Sequence, residues 1–404
     1  DQLPEVASVW ASALALWREV GDGALQVEAL LGQAYCVWRV SPEQAQALVQ
    51  DALQLAKGEG RRPLATALVL HTAGVEWYGV SQLPFAEMLW RQALVIRETL
   101  VPNSLWTADT LDCLAIVEYH RKNLDYAERA LQRALAIRKQ LAPDSDGVAG
   151  TLNNLGNVAK ARGNLSLAAQ YYQQALGIYE QHDLESLGMA TTLHNLGILD
   201  YNRGNLRQAE RFYRRALTIR EKLASNTMDL ASTLNSLGNL ISDWGDFVYA
   251  AQLYQRALEI LEKIAPDSLM IAGVLNNLGA IYSEQNKLDG AEQFYQRALI
   301  LFKELAPDSL WVAAAHHNLG IIAYGRGESS RAEQLWQQAL AIREQLAPNS
   351  LDVAHTLNGL GLVALDRGDL ARAEQLFQQA LAIYERLAPN ALDTAQTLRN
   401  LARL

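Results

Sequence analysis

Hydrophobic residues recur along this chain at the spacing of amphipathic helices. In one segment Leu152, Leu155 and Ala159 fall on a single helical face, and mostly small or polar residues separate them. In the next segment Ala168 and Tyr172 share a face in the same way. Because this double pattern returns along most of the chain, it predicts pairs of amphipathic helices.

A small residue marks the same place in every pair. Most of these residues are glycines that follow a leucine, and they are separated by 41 residues after a first interval of 42. The positions, which we call the repeat glycines, are Gly32, Gly74, Ala115, Gly156, Gly197, Gly238, Gly279, Gly320, Gly361 and Ala402. Self-similarity at a fixed period predicts an array of structural repeats rather than one compact core.

Two kinds of helix-breaking sequence bound the helices of each repeat. In Pro307-Asp308-Ser309 and its equivalents, proline stops one helix and a polar side chain caps the next. Elsewhere a glycine precedes Asn or Asp, because glycine adopts the left-handed conformation at a helix end and the polar residue caps the following helix. Examples are Gly163-Asn164, Gly204-Asn205, Gly245-Asp246 and Gly368-Asp369. Each repeat is therefore predicted to contain two helices.

The repeat also has a constant arrangement of small and aromatic residues. Gly156, Ala168 and Ala175 stand where the helices must approach closely, and an aromatic residue fills the space between neighbours. The aromatic position holds Tyr172, Tyr213, Tyr254, Tyr295, Trp336 and Phe377. In these positions the chain resembles the tetratricopeptide repeat family, whose usual repeat has about 34 residues. The longer repeat, with residues 151–156 and 339–344 as examples, resembles the kinesin-light-chain subgroup, which is also common in bacterial multidomain proteins.

The resemblance implies an all-α fold, a right-handed superhelical solenoid of stacked antiparallel helix hairpins. Residues 107–404 carry the regular 41-residue repeats and end in mid-repeat. Residues 1–106 form irregular, tryptophan-rich repeats, in which residues 6–20 align with a second helix that no first helix precedes. We therefore expect this chain to be one part of a longer protein.

Six of the nine tryptophans lie by residue 106. They are Trp10, Trp17, Trp38, Trp77, Trp90 and Trp106. Two interpretations stay open at this point. The indoles either fill irregular packing or form a docking surface, since exposed tryptophans are enriched at interface hot spots.

The composition narrows the range of functions. A net charge of -9 without any Lys/Arg cluster argues against a nucleic-acid surface. The longest uncharged apolar-rich run near the start, residues 6–17, is shorter than the roughly 20 residues of a membrane-spanning helix. Only Cys36 and Cys113 occur, which gives no disulfide framework and fits a reducing compartment. We expect a cytoplasmic protein without nucleic acid, membrane, metal or cofactor binding.

In the tetratricopeptide family the first helices line a concave groove. The resemblance carries this role to three positions here, three before, one after and four after the repeat glycine, which we call the stripe. In some repeats the stripe carries amides, and in others it carries histidine, an aliphatic residue and tyrosine. The expected groove residues on the stripe are Asn153, Asn157, His194, Ile198, Tyr201, Asn235, Asn239, Asn276, His317 and Tyr324. Because the packing pattern does not use these positions, we expect their side chains to be exposed in the groove.

The position two before the repeat glycine forms what we call the ladder. Its expected groove residues are Asn154, Asn195, Asn277 and Asn318. The ladder resembles the asparagines with which some relatives hold an extended peptide, since an amide both donates and accepts hydrogen bonds. The alternative is that these asparagines bond only to the backbone of the adjoining helix. Lys160 is nearly the only cation on the stripe, which disfavours an acidic peptide as ligand.

The leading hypothesis is a protein–protein interaction scaffold that binds a peptide or helix of a partner protein in this groove. No catalytic residue is expected, because His194 and His317 belong to different hairpins, and Cys113 with His120 lacks a third group to orient the pair. The alternative is the sensor or regulatory arm of a larger enzyme, a caspase-like protease or signalling NTPase, whose covalently linked effector domain lies outside this chain. Self-assembly through the end helices is a third hypothesis, so the oligomeric state is left open.

Overall fold

The computed structural model describes residues 3–57, 63–182 and 185–404. Within these ranges the chain forms 20 α-helices and no strand. They are α1 (Leu3–Val20), α2 (Gly23–Val37), α3 (Pro42–Lys57), α4 (Pro63–Gly79), α5 (Leu83–Leu100), α6 (Leu105–His120), α7 (Leu124–Leu141), α8 (Asp146–Ala161), α9 (Leu165–Gln181), α10 (Leu187–Asn202), α11 (Leu206–Leu223), α12 (Met228–Asp243), α13 (Phe247–Ile264), α14 (Leu269–Glu284), α15 (Leu288–Leu305), α16 (Leu310–Gly325), α17 (Ser329–Leu346), α18 (Leu351–Asp366), α19 (Leu370–Leu387) and α20 (Leu392–Leu401). The prediction of an all-α solenoid of helix hairpins is confirmed. None of the described helices is long and apolar enough to cross a membrane.

The predicted helix ends are visible in the backbone. Gly163 has a φ of +79° after α8, and the side chain of Asn164 accepts a hydrogen bond from the Leu167 amide at 3.1 Å. At the other boundary Ser145 caps α8, because its hydroxyl accepts a bond from the Val148 amide at 3.4 Å. Positive φ recurs at this glycine position, in Ser81, Lys122, Gly163, Gly204, Gly245, Asn286, Gly327 and Gly368. Capping residues and positive-φ residues therefore mark the helix ends at which the chain turns.

Within a hairpin the aromatic ring of the second helix lies directly on the repeat glycine of the first. A Cβ atom built on Gly238 would lie 2.6 Å from Cε1 of Tyr254. Carbon atoms prefer a separation of about 3.5–4.0 Å, so the ring occupies space that only glycine leaves open. Where Ala115 replaces the repeat glycine, the equivalent position of the second helix holds Leu131 instead of an aromatic residue. The two positions change together because they share one volume.

The chain divides into two compact units, residues 1–199 and residues 200–404. In the second unit, helices α12 to α19 form four regular hairpins, and each first helix also packs against the second helix of the preceding hairpin. The first unit contains regular hairpins from α4 onwards.

The start of the first unit reverses the usual order within a hairpin. A Cβ atom on Gly32 of α2 would lie 2.5 Å from Cε2 of Trp10, which belongs to the preceding helix α1. In the regular repeats the aromatic ring comes from the helix that follows the glycine. Helix α1 therefore supplies the aromatic residue that the sequence after Gly32 lacks.

Candidate functional site

In each unit the stripe and ladder residues lie on the first helices of the hairpins, and we call the surface that they form there the first-helix face. The structure places the predicted site residues on α8, α10, α12, α14 and α16. Most of them are half-buried, while Asn153, His194 and Asn195 are buried. Within each unit, neighbouring first helices touch along this face. Side chains about 41 residues apart can therefore meet there.

In the first unit, ladder and stripe asparagines bond to each other between α8 and α10. The amide nitrogen of Asn195 donates to Oδ1 of Asn153 at 3.1 Å and to Oδ1 of Asn157 at 3.3 Å. The Tyr172 hydroxyl also donates to Oδ1 of Asn157, at 2.7 Å. A third donor, the Thr192 hydroxyl, lies 3.4 Å from Oδ1 of Asn153. These bonds join two consecutive repeats.

The second unit repeats this arrangement between α12 and α14. The amide nitrogen of Asn277 donates to Oδ1 of both Asn235 and Asn239, each at 3.0 Å. The Tyr254 hydroxyl donates to Oδ1 of Asn239 at 2.7 Å. Since the same three amides and one tyrosine recur with the same bonds, this is a structural motif of the repeat.

Two further pairs extend the motif along the second unit. Asn318 Nδ2 donates to Asn276 Oδ1 at 3.0 Å, and Asn400 Nδ2 donates to Asn358 Oδ1 at 3.3 Å. Asn154 differs from the other ladder residues, since it is half-buried and makes no hydrogen bond with any described residue. Most of the ladder thus links each first helix to the one before it.

These bonds correct two sequence-based expectations. The expectation that the stripe has no packing role is wrong, because Asn153, Asn235 and Asn276 accept hydrogen bonds from the next repeat. The alternative that ladder asparagines bond to the backbone of the adjoining helix is also wrong for Asn277 and Asn318, whose partners are side chains.

The inter-repeat bonds leave part of each amide unused. Among the described residues, Nδ2 of Asn235, Nδ2 of Asn239 and Oδ1 of Asn277 have no hydrogen-bond partner, and none of the three is enclosed by protein. Oδ1 of Asn195 in the first unit also has no hydrogen-bond partner among the described residues and is not fully enclosed, although the residue as a whole is buried. The first-helix face therefore offers both donors and acceptors whose orientation the inter-repeat bonds fix.

The aromatic-apolar part of the stripe is also packed between repeats. Nδ1 of His317 lies 3.4 Å from the Thr356 hydroxyl in the next first helix, and the indole of Trp336 donates to the His317 carbonyl at 3.1 Å. Burial lowers the pKa of His317 to about 3, and the positive charge of Arg343 adds to this effect. His317 is therefore neutral at physiological pH and acts as a packing residue.

An equivalent histidine in the first unit has the same surroundings. Nδ1 of His71 lies 3.4 Å from the Thr110 hydroxyl, and Trp90 donates its indole hydrogen to the His71 carbonyl at 3.0 Å. Burial lowers the pKa of His71 to about 4, with a smaller contribution from Arg97. The histidines thus follow the repeat and do not converge on one site.

The stripe tyrosines, Tyr201 and Tyr324, are only partly covered by neighbouring repeats. Tyr201 donates its hydroxyl hydrogen to Asp243 Oδ2 at 2.5 Å, which links α10 to α12 inside the second unit. Burial and the Asp366 carboxylate raise the pKa of Tyr324 to about 12. Both rings are half-buried, as is Ile198 in the first unit, whereas Ile321 is 45% exposed. Apolar contact surface is therefore available beside the open amides.

The clusters of acidic, histidine and cysteine side chains among the described residues were compared with what a metal ion requires. No group of three or more His, Cys, Asp or Glu side chains is placed to hold a metal ion in this part of the chain. Burial raises the pKa of the Cys113 thiol to about 12, so the reactive thiolate is not formed at neutral pH. The contacts described above are hydrogen bonds and apolar packing.

Sequence reasoning missed one feature of the first unit. A cavity of about 380 Å³ lies between α1, α2 and α4, and Trp10, Glu28 and Glu76 are among the residues that line it. The two glutamates fall outside the stripe and ladder positions of the repeat. The concentration of tryptophans before residue 106 was the one signal that pointed to this region.

Solved structures of helical repeat proteins resemble the chain. BtubC (BKLC) from P. vanneervenii is 29% identical, with 57% of this chain and 91% of that chain covered and a TM-score of 0.47. A signal transduction ATPase with numerous domains and a tetratricopeptide repeat sensor, from Pyrococcus horikoshii, is 16% identical over 92% of this chain and 54% of that chain, with a TM-score of 0.65. A Rap protein complexed with competence and sporulation factor is 18% identical over 91% of this chain and 99% of that chain, with a TM-score of 0.55.

Sequence comparisons complete the assignment. A search of curated protein sequences found no match. The family model described as "Tetratricopeptide repeat" matches residues 106–181, 188–263, 270–345 and 352–404. Because these matches cover more than half of the sequence, the chain belongs to the tetratricopeptide repeat family, as its repeat pattern predicted.

Proposed function

We propose that this chain is a protein-interaction scaffold that binds an extended peptide of a partner protein along the first-helix face. The observation that carries this proposal is the pairing of Asn277 with Asn235 and Asn239, which leaves one acceptor and two donors without a partner among the described residues and not enclosed by protein. A peptide backbone carries one donor and one acceptor per residue, so it complements such a surface. The ligand would bind through its backbone and tolerate variation in sequence.

The inter-repeat bonds favour binding because they orient the amides before the ligand arrives. A free asparagine side chain loses rotamer freedom when it binds, whereas an amide already held by its neighbour loses less. Each hydrogen bond to the peptide would contribute about 1 kcal/mol net. Several repeats acting together would give moderate affinity.

Apolar residues on the same face would add sequence preference. Ile321 is 45% exposed, and Ala280, at the equivalent position of the preceding repeat, is also exposed. A peptide lying across both repeats would place alternate side chains against them. The Rap protein of similar fold is described as complexed with competence and sporulation factor, which supports the view that such a stack can hold a bound factor.

The alternative of a regulatory arm concerns residues outside this chain. The ATPase of similar fold is described as carrying a tetratricopeptide repeat sensor. The sequence encoded on either side of this chain would decide for that role if it contained a protease or NTPase domain. A peptide-binding face would serve either role.

The scaffold proposal is tested with peptides selected on the immobilised chain from an unbiased phage-displayed library. Ala280→Arg places a large charged side chain on the first-helix face without removing an inter-repeat bond. Gln293→Arg, on the exposed face of the second helix α15, is the matched control. We expect Ala280→Arg to weaken binding of a selected peptide by about tenfold or more, equivalent to about 1.4 kcal/mol, and Gln293→Arg to leave it unchanged.

The melting temperature of both variants should match the parent, because neither position is buried. Equal affinity of the Ala280→Arg variant and the parent would contradict the proposal. Asn277→Ala is less informative alone, since it removes an inter-repeat bond as well as a ligand contact.

A further inference from the structure

The cavity at the start of the first unit combines an aromatic wall with two carboxylates. It has a volume of about 380 Å³ and is lined by Trp10 of α1, Glu28 and Leu31 of α2, and Leu68 and Glu76 of α4. Pockets that hold small ligands commonly span about 300–1,000 Å³, so this space has room for one long side chain. We call it the Trp10 cavity.

The reversed packing of α1 places the tryptophan in this position. Trp10 lies against Gly32, and the ring also forms part of the cavity wall. On α4, Leu68, Thr72 and Glu76 are spaced four residues apart, so they share one helical face towards the cavity. Leu68 is 54% exposed, which makes the cavity accessible from solvent.

The carboxylates of the Trp10 cavity have no counter-charge among the described residues. Among the described residues, neither Glu28 nor Glu76 forms an ion pair or hydrogen bond, and the cavity lining includes no lysine or arginine. Nearby buried glutamates behave differently, since Arg91 pairs with both Glu87 and Glu118 at 2.7 Å. The negative charge of the cavity is therefore available to a ligand.

These observations specify a cationic ligand with an apolar stem. A guanidinium group stacks on an indole face and forms hydrogen bonds with carboxylates, while its methylene chain contacts leucine side chains. Val75, 48% exposed and on the same helix as Leu68, extends the apolar surface beyond the cavity. A peptide with apolar residues beside its arginine would contact that surface as well.

We propose that the Trp10 cavity binds an arginine side chain of a partner peptide. This inference rests on the proposed scaffold function but concerns a different unit of the chain. A failure at the Trp10 cavity would leave the result with Ala280→Arg in the second unit intact. The two proposals can therefore be separated by experiment.

The test uses the full chain labelled with 5-fluorotryptophan and ¹⁹F NMR, with the Trp10 signal assigned by Trp10→Phe. The probes are acetylated and amidated Leu-Arg-Leu, and the same tripeptide with citrulline, the neutral isostere of arginine. We expect the arginine peptide to shift the Trp10 signal saturably and to bind about tenfold more tightly than the citrulline peptide. Free arginine amide, which lacks the flanking residues, should bind more weakly than the peptide.

The paired variant Glu28→Gln/Glu76→Gln tests the carboxylates. It should reduce arginine-peptide affinity about tenfold, to the level of the citrulline peptide, without loss of thermal stability. Glu19→Gln, an exposed position of α1 outside the cavity, is the control and should bind as the parent does.

Three results would overturn the proposal. One is an unshifted Trp10 signal with arginine peptide up to about 10 mM, where even a weak site would fill. Another is equal affinity for the arginine and citrulline peptides. Equal binding of free arginine amide and the tripeptide would refute the assignment to a peptide and indicate a small organic cation instead.

Discussion

Arg343, in the last turn of α17, donates hydrogen bonds to the hydroxyl of Thr356 and, at 2.9 Å, to the carbonyl of Asp352 in the following helix. One buried guanidinium thus joins two consecutive hairpins. Arg97 and Arg220 make the equivalent carbonyl bond in other repeats, each at 2.7 Å. In two of the repeats without this arginine the same two positions hold apolar pairs. They are Leu261 with Val274 and Phe302 with Ala315, all buried.

The apolar pairs predict how substitution of Arg343 and Thr356 changes the stability of the protein. Arg343→Leu should lower the free energy of unfolding by about 1–3 kcal/mol, because buried partners lose a hydrogen bond. Arg343→Leu with Thr356→Val reproduces the native apolar pairing and should lie within about 1 kcal/mol of the parent, since buried ionic links are often replaceable by packed apolar groups. Urea denaturation of both single variants and the double variant measures the coupling. If the changes in the free energy of unfolding of the two single variants simply add up in the double variant, the prediction is contradicted.

The repeat glycine and its aromatic ring should also be coupled. A Cβ atom on Gly361 would lie 2.5 Å from Cε1 of Phe377, so Gly361→Ala should destabilise by about 1–3 kcal/mol through overpacking. Adding Phe377→Leu should recover part of that loss, because it recreates the native Ala115 and Leu131 combination. A thermodynamic cycle at constant temperature tests this. The prediction fails if the double variant is no more stable than Gly361→Ala alone.

His316 predicts a pH dependence of stability. It occupies a buried position that is leucine in neighbouring repeats, and among the described residues its Nδ1 has no hydrogen-bond partner. Burial lowers its pKa from 6.5 to about 4, and Lys303 adds to the shift. Between pH 6.5 and about pH 4, His316 binds a proton in the unfolded state but not in the folded state. The contribution of His316 to stability is therefore complete above about pH 6.5 and falls as the pH drops towards 4.

His316→Leu should remove this dependence. At neutral pH it should raise the free energy of unfolding by about 1–2 kcal/mol, since an unsatisfied buried nitrogen is replaced by an apolar group. Its melting temperature should also fall less than that of the parent on acidification. Leu275→His, at the equivalent position of the preceding repeat, is the reverse test and should steepen the acid dependence. A parallel pH profile for parent and His316→Leu would rule out this role.

Backbone strain can be tested at the left-handed position between the two helices of a hairpin. Ser81 has a φ of +62°, where five equivalents in later repeats are glycine. Ser81→Gly should stabilise the first unit by up to about 1 kcal/mol, because a side chain is unfavourable in this conformation. Gly204→Ser is the reverse change, and its Cβ atom would meet no other atom within 4 Å. Thermal melting should rise for Ser81→Gly and fall for Gly204→Ser; shifts in the same direction would disprove the strain argument.

The sequence predicted the helices well because their signals are local. Gly163 and Asn164 identify one helix boundary, and Ser145 identifies another, from neighbouring residues alone. The repeat glycine and its aromatic partner were recognisable because they recur at constant spacing. These features need no knowledge of which helices lie side by side.

The partners of the polar residues were harder to predict. Asn277 bonds to Asn235, 42 residues earlier, and nothing near either residue in the chain indicates that contact. The stripe appeared free because the packing pattern accounted only for apolar residues. The structure shows that polar groups also pack between repeats, which leaves a smaller part of each amide for a ligand.

The amino-acid sequence by itself determined the 41-residue period, the two helices per repeat and the family, because proline, glycine and helical periodicity act over short distances. Only the tertiary structure decided that Trp10 packs on Gly32 from the preceding helix and shares a cavity with Glu28 and Glu76. It also decided which amide atoms of the asparagines are bonded between repeats and which are left without a partner among the described residues. Both depend on the approach of separate helices, and that approach is set by the sum of many packing contacts rather than by any local signal.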